Sequence, residues 1–466
     1  MLIIRRPRHI RTEITVPDGE SVNGQRAAAS VSGANNASGR SGRSNLRWVV
    51  CGLLFLATTI NYMDRSALGL VEPILRHVLG GDLHPDLYNR QYSDIVICFI
   101  AAYGIGLLIT GRIIDRVGAK VGYALSITLW GLASISHIFA RSVVAFGAAR
   151  FALGLGEAGN FPAALKATAD WFPAEERALA TGLFNSGTSA ASLVAPLLIP
   201  WMAVHYGWQS AFLTTGSLSM IWLAGWLIFP YNRLRKKYGV AAVESQKKEK
   251  PPESAPRLSM KFLLKKRGTW NFAFSKFMTD PVWWLYLFWL PKFFNERFHV
   301  NMLGMGLPLI VVYIGSTVGS IVGGWLAGFL MKRGYSLQTS RRLAMMICAF
   351  CATPVVLIPV VHSLWHAIGL LCLATAAHQG FSSNLLSTPS DLFPTSAVGT
   401  VVGIGGAVGA VGSTLFTTLV GIVWRKYSLL VFVAGGFAYL ITLMAFQWRP
   451  PVPMTDEEAR AAAVSA

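Results

Sequence analysis

ATTINYMDRSALG (residues 57–69) and GAARFALGLGEAGNF (residues 147–161) lie inside runs of membrane-spanning character, yet they carry Asp64, Arg65, Arg150 and Glu157. A charge at the centre of a bilayer costs about 2.5 kcal/mol or more, so such residues face a polar cavity or one another. Their presence predicts an ion or proton pathway through a membrane protein. Arg150 and Glu157 are two helical turns apart and project from one face of a helix. Asp64 and Arg65 are adjacent and diverge by about 100° around theirs.

The rest of the chain fits a lipid environment. Of 466 residues, 53% are hydrophobic and 14% charged, where a soluble domain carries about 25% charged residues. Apolar runs recur from Trp48 to Gln447, each near the roughly 20 residues that cross the hydrocarbon core. They predict an all-α membrane protein with twelve transmembrane helices in two six-helix halves. Residues 1–44 read as a disordered basic cytoplasmic tail, 45–230 as the N-terminal half, 231–268 as a cytoplasmic linker, 269–448 as the C-terminal half, and 449–466 as a cytoplasmic C-terminal tail. No apolar segment precedes a small-residue cleavage site, so the first span is expected to act as an uncleaved anchor.

A net charge of +19 would suit nucleic acid, but its placement argues for topology instead. Cations from Arg233 and Arg235 to Lys266 and Arg267 crowd the linker against Glu244, Glu249 and Glu253, and others fall in alternate loops, as in Arg112, Arg116 and Lys120. That is the pattern of cytoplasmic loops. It places both termini of a multi-pass membrane protein in the cytoplasm, with the lipid bilayer as a partner and nucleic acid excluded. The cysteines Cys51, Cys98, Cys348, Cys351 and Cys372 all fall in spans, so no disulfide framework is expected. GLGEAG at 154–159 matches a dinucleotide fingerprint by letter, but Pro162 follows it and no strand precedes it. Neither a nucleophile and base pair nor a metal cluster stands near the midplane, so enzyme, cofactor and metal are not expected.

Two halves of six spans are an architecture of transporters that hold substrate near the midplane and rock one half against the other. GRIIDRVGAK at 111–120 and GWLAGFLMKRG at 324–334 follow the second and eighth spans, a weak internal repeat in which Gly328 replaces Asp115. The economical charge arrangement pairs Asp64 or Glu157 with Arg150 and leaves Arg65 for a ligand, since a guanidinium meets a carboxylate bidentately and never titrates. Burial disfavours a carboxylate whereas a neighbouring guanidinium favours it, so such an acid can load and release a proton. The alternative is one static neutral cluster. Tyr62, Tyr103 and Asn185 stand nearby, and HQGFSSNLLSTPSD at 378–391 is unusually polar, with Gln379, Asn384, Ser387 and Ser390 as candidate contacts and Pro389 expected to break the helix. Trp283, Trp284 and Trp289 read as an interfacial belt, and His378 as a helix contact. TVVGIGGAVGAVG at 400–412 reads as a packing and pivot surface.

GRIIDRVGAK resembles the loop signature of the major facilitator superfamily, and NYMDRSALG, RFALGLGEAGNFP and FWLPKFF resemble its anion:cation symporter branch. AAHQGFSSNLLSTPSDLFPTSAVGTVVGIGG is most similar to bacterial hexuronate transporters. The resemblance covers roughly residues 46–448. It implies a proton-coupled symporter importing hexuronates such as glucuronate or galacturonate by alternating access, with protons and a sugar-acid anion as partners, acting as a monomer. The alternative cargo is another organic anion, an aldonate such as galactonate or an aromatic carboxylate. A sensor or scaffold would leave the buried charges without a task. The branch implies that Arg65 holds the substrate carboxylate with Tyr62 and Tyr103 in contact. It further implies that Asp64 and Glu157 carry protons with Arg150 between them, and that Gly111, Asp115, Arg116 and Gly118 form a conformational motif. Gly406 stands where a sugar-acid relative has asparagine.

Overall fold

The computed structural model describes residues 25–172, 174–238 and 258–448, with Met454 and Glu458. The side chains of 25–45, 115, 174–175, 177–179, 395–396, 429 and 445–448 lie outside that description. So do 1–24 of the expected tail, 239–257 of the expected linker, and most of 449–466. The chain divides into Met1–Val49 and Val50–Ala466, and everything that follows on packing concerns the second unit.

Among the described residues every regular element is helical. The helices are α1 (Gln25–Val78), α2 (Pro85–Ser136), α3 (Val143–Glu157), α4 (Asn160–Trp171), α5 (Ala174–Asn185), α6 (Gly187–Tyr206), α7 (Trp208–Ile228) and α8 (Tyr231–Tyr238). They continue as α9 (Met260–Lys265), α10 (Arg267–Phe298), α11 (Gly306–Lys332), α12 (Leu337–Ala352), α13 (Leu364–Leu392) and α14 (Thr395–Trp448). Among the described residues they make twelve spans: 46–78, 85–114, 116–139, 143–171, 180–206, 208–228, 267–298, 303–332, 337–360, 364–392, 397–428 and 430–448. Eight helices are long and apolar enough to cross a membrane by length and composition alone. α1 begins at Gln25, within the stretch expected to be a tail.

Turns follow local chemistry. Gly118, at φ 82° and ψ 165°, turns the chain between the second and third spans, a conformation that disfavours any side chain. Two residues on, Lys120 Nζ donates to the carbonyls of Leu227 (3.1 Å), Phe229 (2.8 Å) and Trp226, closing the C-terminal end of α7 where helix carbonyls lack partners. Ser142, Ser259 and Ser336 accept from the backbone of Ala145, Phe262 and Thr339 and so start α3, α9 and α12. The fourth span tightens between Glu157 and Asn160 because Pro162 has no N–H to give Ala158 O. The Thr110 hydroxyl supplies that hydrogen bond instead, at 3.2 Å.

Small residues set how closely spans approach. A Cβ added to Gly315, Gly319 or Gly323 would lie 2.3 Å from Cys372 Sγ, 2.0 Å from Ala376 O and 2.3 Å from Gly380 Cα, so the eighth and tenth spans meet backbone to backbone. The eleventh span also lies close on the seventh: a Cβ on Gly405 or Gly409 would strike the side chain of Phe272 or Asp280, and one on Gly412 the Phe277 carbonyl, within 2.3 Å. Gly399 and Gly403 face open space, so the glycine-rich stretch packs over only part of its length. In GLGEAG, Gly154 and Gly156 are pressed against Phe99 O and the Trp130 backbone, and those glycines serve helix packing.

Pro389 does not break the tenth span. α13 continues through it to Leu392, because a proline three residues from a helix end removes only one hydrogen bond of the last turn. Gly319→Ala is expected to destabilise the protein by roughly 1–3 kcal/mol, since backbone rather than a flexible side chain must move. Gly324→Ala, which meets nothing within 4 Å, should stay within about 0.5 kcal/mol. Thermal unfolding of the two variants in detergent measures the contrast; equal losses would contradict the close approach.

Candidate functional site

α1 carries Asn61, Tyr62, Asp64 and Arg65 into the middle of the first half, and α3 carries Arg150 and Glu157 alongside. All four charged side chains are buried, Arg65 at 3% exposed and Arg150 at 0%. Arg65 Nε donates to Glu157 Oε2 at 2.9 Å, and Nη2 reaches Asn61 Oδ1 at 3.4 Å. Its guanidinium carbon stands 4.5 Å from the Tyr62 ring centroid and 4.6 Å from that of Tyr103, with Trp284 at 5.5 Å and Phe99 at 5.7 Å. Cation–π contacts of this kind hold a desolvated guanidinium in place. Trp284 comes from α10, so an aromatic side chain of the second half closes over a cation of the first.

Asp64 turns the other way. Its Oδ1 accepts from the Ser134 hydroxyl at 2.5 Å and its Oδ2 from Ser219 at 3.2 Å. Ser219 in turn accepts from Trp130 Nε1 at 2.8 Å, and Ser134 bonds Thr215 at 3.2 Å. The carboxyl is thus held by hydroxyls of the third and sixth spans. Such groups can donate to a carboxylate or reorient around a carboxylic acid.

Arg150 stands apart within the cluster. Among the described residues its Nε, Nη1 and Nη2 have no hydrogen-bond partner, and neither has Glu157 Oε1. The guanidinium lies between Phe99 at 5.9 Å and Phe212 at 5.6 Å. The expected pairing is therefore exchanged: Arg65 has the acid partner and Arg150 does not. Seven residues do put Arg150 and Glu157 on one face, but two turns also separate them by about 10 Å along the axis. Glu157 reaches the level of Arg65, while Arg150 remains among aromatic rings.

The other sequence candidates divide. Tyr62 and Tyr103 flank Arg65. Asn185 is exposed at the end of α5, Ser390 is exposed near the end of α13, and Gln379 is half-buried. Asn384 is spent on the fold: its Nδ2 donates to Gly323 O at 2.8 Å and Gly380 O at 2.9 Å. Ser387 Oγ donates to Ser383 O at 2.9 Å, one turn back in its own helix. The sequence offers both as substrate contacts: Asn384 reaches the Gly323 carbonyl because the glycine contact of the eighth and tenth spans brings it close, whereas Ser387 bonds within its own helix. In the loop motif, Gly118 makes the turn described above, Gly111 meets nothing within 4 Å, and Arg116 is exposed. The Asp115 side chain lies outside the described residues. The three tryptophans form no belt: Trp284 covers Arg65, Trp283 stacks on His378 at 5.3 Å, and Trp289 packs on Trp424 at 4.8 Å. His378 is a helix contact, its Nδ1 bonded to Tyr439 Oη at 2.7 Å.

The sequence reading overlooked a second set of buried charges. Lys292 Nζ of α10 stands 2.6 Å from Glu72 Oε1 of α1, with both side chains at most 2% exposed. Lys292 also meets Glu296 Oε1 at 3.2 Å, as does Arg76 Nη1, and Trp424 Nε1 donates to Glu296 Oε2 at 2.8 Å. Tyr92 Oη donates to Phe288 O and Ser93 Oγ to Thr417 O, at 2.8 and 2.7 Å. These contacts join the two halves at the end of the molecule opposite residues 231–238 and 258–266. The signal that would have found them is the one applied to Asp64 and Arg65: ionisable residues in LVEPILRHV and FWLPKFF, inside apolar runs.

Twelve helical spans in two halves, with buried charges in the first half and across the seam, have the architecture of a membrane transporter. A family model described as Major Facilitator Superfamily matches residues 54–417, and the chain belongs to that superfamily. It is 31% identical over 383 residues to the hexuronate transporter of Escherichia coli K12, covering 81% of this chain and 87% of that protein. It is 33% identical over 310 residues to the galacturonate transporter of Dickeya chrysanthemi, covering 65% of this chain and 88% of that one. A solved D-xylose-proton symporter superposes with a TM-score of 0.65 at 14% identity, covering 87% of this chain and 98% of that chain, a likeness of fold.

Removing Lys292 strands the Glu72 carboxylate in a dry interior, which costs about 3–5 kcal/mol, whereas removing Glu72 leaves Lys292 with Glu296. Lys292→Met alone should therefore lower the unfolding temperature in detergent far more than Lys292→Met combined with Glu72→Gln. A double variant that is additive would show that the two groups do not interact.

Proposed function

We propose that this protein is a proton-coupled symporter that imports hexuronates across a bacterial inner membrane, with both termini and the linker in the cytoplasm. The observation that carries the reading is the Arg65 guanidinium, walled by Tyr62 and Tyr103 and held by the single carboxylate of Glu157. A protein acid here occupies the position that a substrate carboxylate would take. A proton on Glu157 dissolves the ion pair and leaves the guanidinium fork for the carboxylate of the sugar acid. Loss of that proton restores the pair and expels the substrate. Substrate and proton therefore depend on each other through one guanidinium, which is a linkage between two binding equilibria. Asp64, ringed by hydroxyls rather than by a cation, is a second carboxyl able to exchange a proton.

The sealed end supports a direction. With Glu72, Lys292, Arg76 and Glu296 closing the end opposite the basic linker, this conformation is the inward-directed one of an alternating-access cycle. Opening outward requires those charges to part, and they are close enough to the other half to re-form once substrate has crossed. Each chain holds a whole site between its own halves, so a monomer suffices. The hexuronate and galacturonate transporters named above support the choice of cargo; an aldonate or aromatic acid is the competing cargo.

Proteoliposomes should accumulate labelled glucuronate when the outside is acidic and only equilibrate it when a protonophore is present. Accumulation indifferent to the gradient would remove the coupling. Arg65→Lys should lower uptake at least about tenfold, because an ammonium cannot copy the planar fork or its stacking between two tyrosines. Unlabelled galactonate or benzoate competing better than galacturonate would move the assignment to another acid.

A further inference from the structure

Well inside α10, away from either helix end, Lys276 Nζ and Asp280 Oδ1 form an ion pair of 2.6 Å. Charges at this depth face a cavity or carry function, since lipid alone would expel them. Their side chains are 15% and 20% exposed, whereas Lys292 and Glu72 of the sealed end are 1% and 2% exposed. The pair is therefore reachable. Gly409 gives the pair room on one side: a Cβ there would lie 2.3 Å from Asp280 Oδ2 and 3.3 Å from Lys276 Cβ.

Residues 276, 280 and 284 advance by four, so they follow one another along one side of α10, about 6 Å apart per step. Trp284 faces Arg65 at 5.5 Å. The charged pair thus lies on the second half beyond the aromatic cover of the anion clamp, with Asp280 one step away. The tenth-span groups that could have read the far end of a sugar acid, Asn384 and Ser387, are bound to backbone.

We propose that Lys276 and Asp280 are the second half's sugar-recognition pair, binding vicinal hydroxyls of a monoanionic sugar acid whose carboxylate is held by Arg65. The inference rests on the sugar-acid reading of the same site and adds the residues that select for hydroxyls. A carboxylate accepts from two neighbouring hydroxyls and an ammonium donates up to three bonds, so together they match a diol. Bonds to charged groups are the stronger kind. The pair is neutral as a whole, so it adds no demand for a second anionic group on the ligand. An acid without hydroxyls leaves both groups without new partners and gains nothing from them.

The test is counterflow exchange of labelled glucuronate in proteoliposomes, with inhibition by unlabelled glucuronate and by cyclohexanecarboxylate, a ring acid without hydroxyls. Asp280→Asn and Lys276→Gln should each lower the ratio of glucuronate to cyclohexanecarboxylate affinity by about ten- to a hundredfold. Lys276→Asp combined with Asp280→Lys keeps an ion pair at the same depth but reverses which group meets which hydroxyl, so in protein whose thermal unfolding matches the wild type it should leave that ratio low. A swapped protein with the wild-type ratio would make the pair a purely structural contact and overturn the inference. Single variants with an unchanged ratio, in vesicles whose wild type exchanges glucuronate, would overturn it alone. A wild type that exchanges no sugar acid would overturn the functional reading together with it.

Discussion

Hydrocarbon does not tolerate an unanswered charge, and the Arg65–Glu157 contact is where this protein answers that constraint at its centre. The contact ties the first span to the fourth and holds the guanidinium between Tyr62 and Tyr103. It also brings a titratable group into direct bonding with a group that does not titrate. The proposed symport by exchange of partners calls for such a contact: strong enough to exist without substrate, and conditional enough to be released by one proton.

The surrounding helices make that contact possible by close approach. Gly154 and Gly156 let α3 lie against the second and third spans, and this sets Glu157 at the height of Arg65. The tightened turn after Glu157, imposed by Pro162 and satisfied by Thr110, fixes where the carboxylate points. Across the molecule Gly405, Gly409 and Gly412 draw the eleventh span onto the seventh, which carries Trp284 over the guanidinium and Lys292 to Glu72. Backbone packing and charge placement are therefore one arrangement, since neither holds if the helices stand further apart.

Much of this was legible in residues 57–69 and 147–161. Charges in apolar runs located the cluster, and helical periodicity put Arg150 and Glu157 on one face. Periodicity is blind to partners on other helices, so it paired an acid with Arg150 where the structure pairs Glu157 with Arg65. In the polar tenth span, Asn384 serves a carbonyl of the eighth span that only the packed helices bring to it, while Ser387 bonds one turn back in its own helix. Glu72, Lys292, Lys276 and Asp280 carry the same sequence signal as Asp64. Their pairing depends on helix pairs far apart in the chain or on a glycine of another span.

The sequence by itself determined the solvent, the number of spans, the division into halves and the type of residue at the centre, because each follows from composition and local periodicity. Tertiary structure alone decided which acid holds which guanidinium, which polar groups are consumed by backbone, and which end of the molecule is closed. Those outcomes turn on distances between helices, and a distance between helices is written in no single stretch of chain.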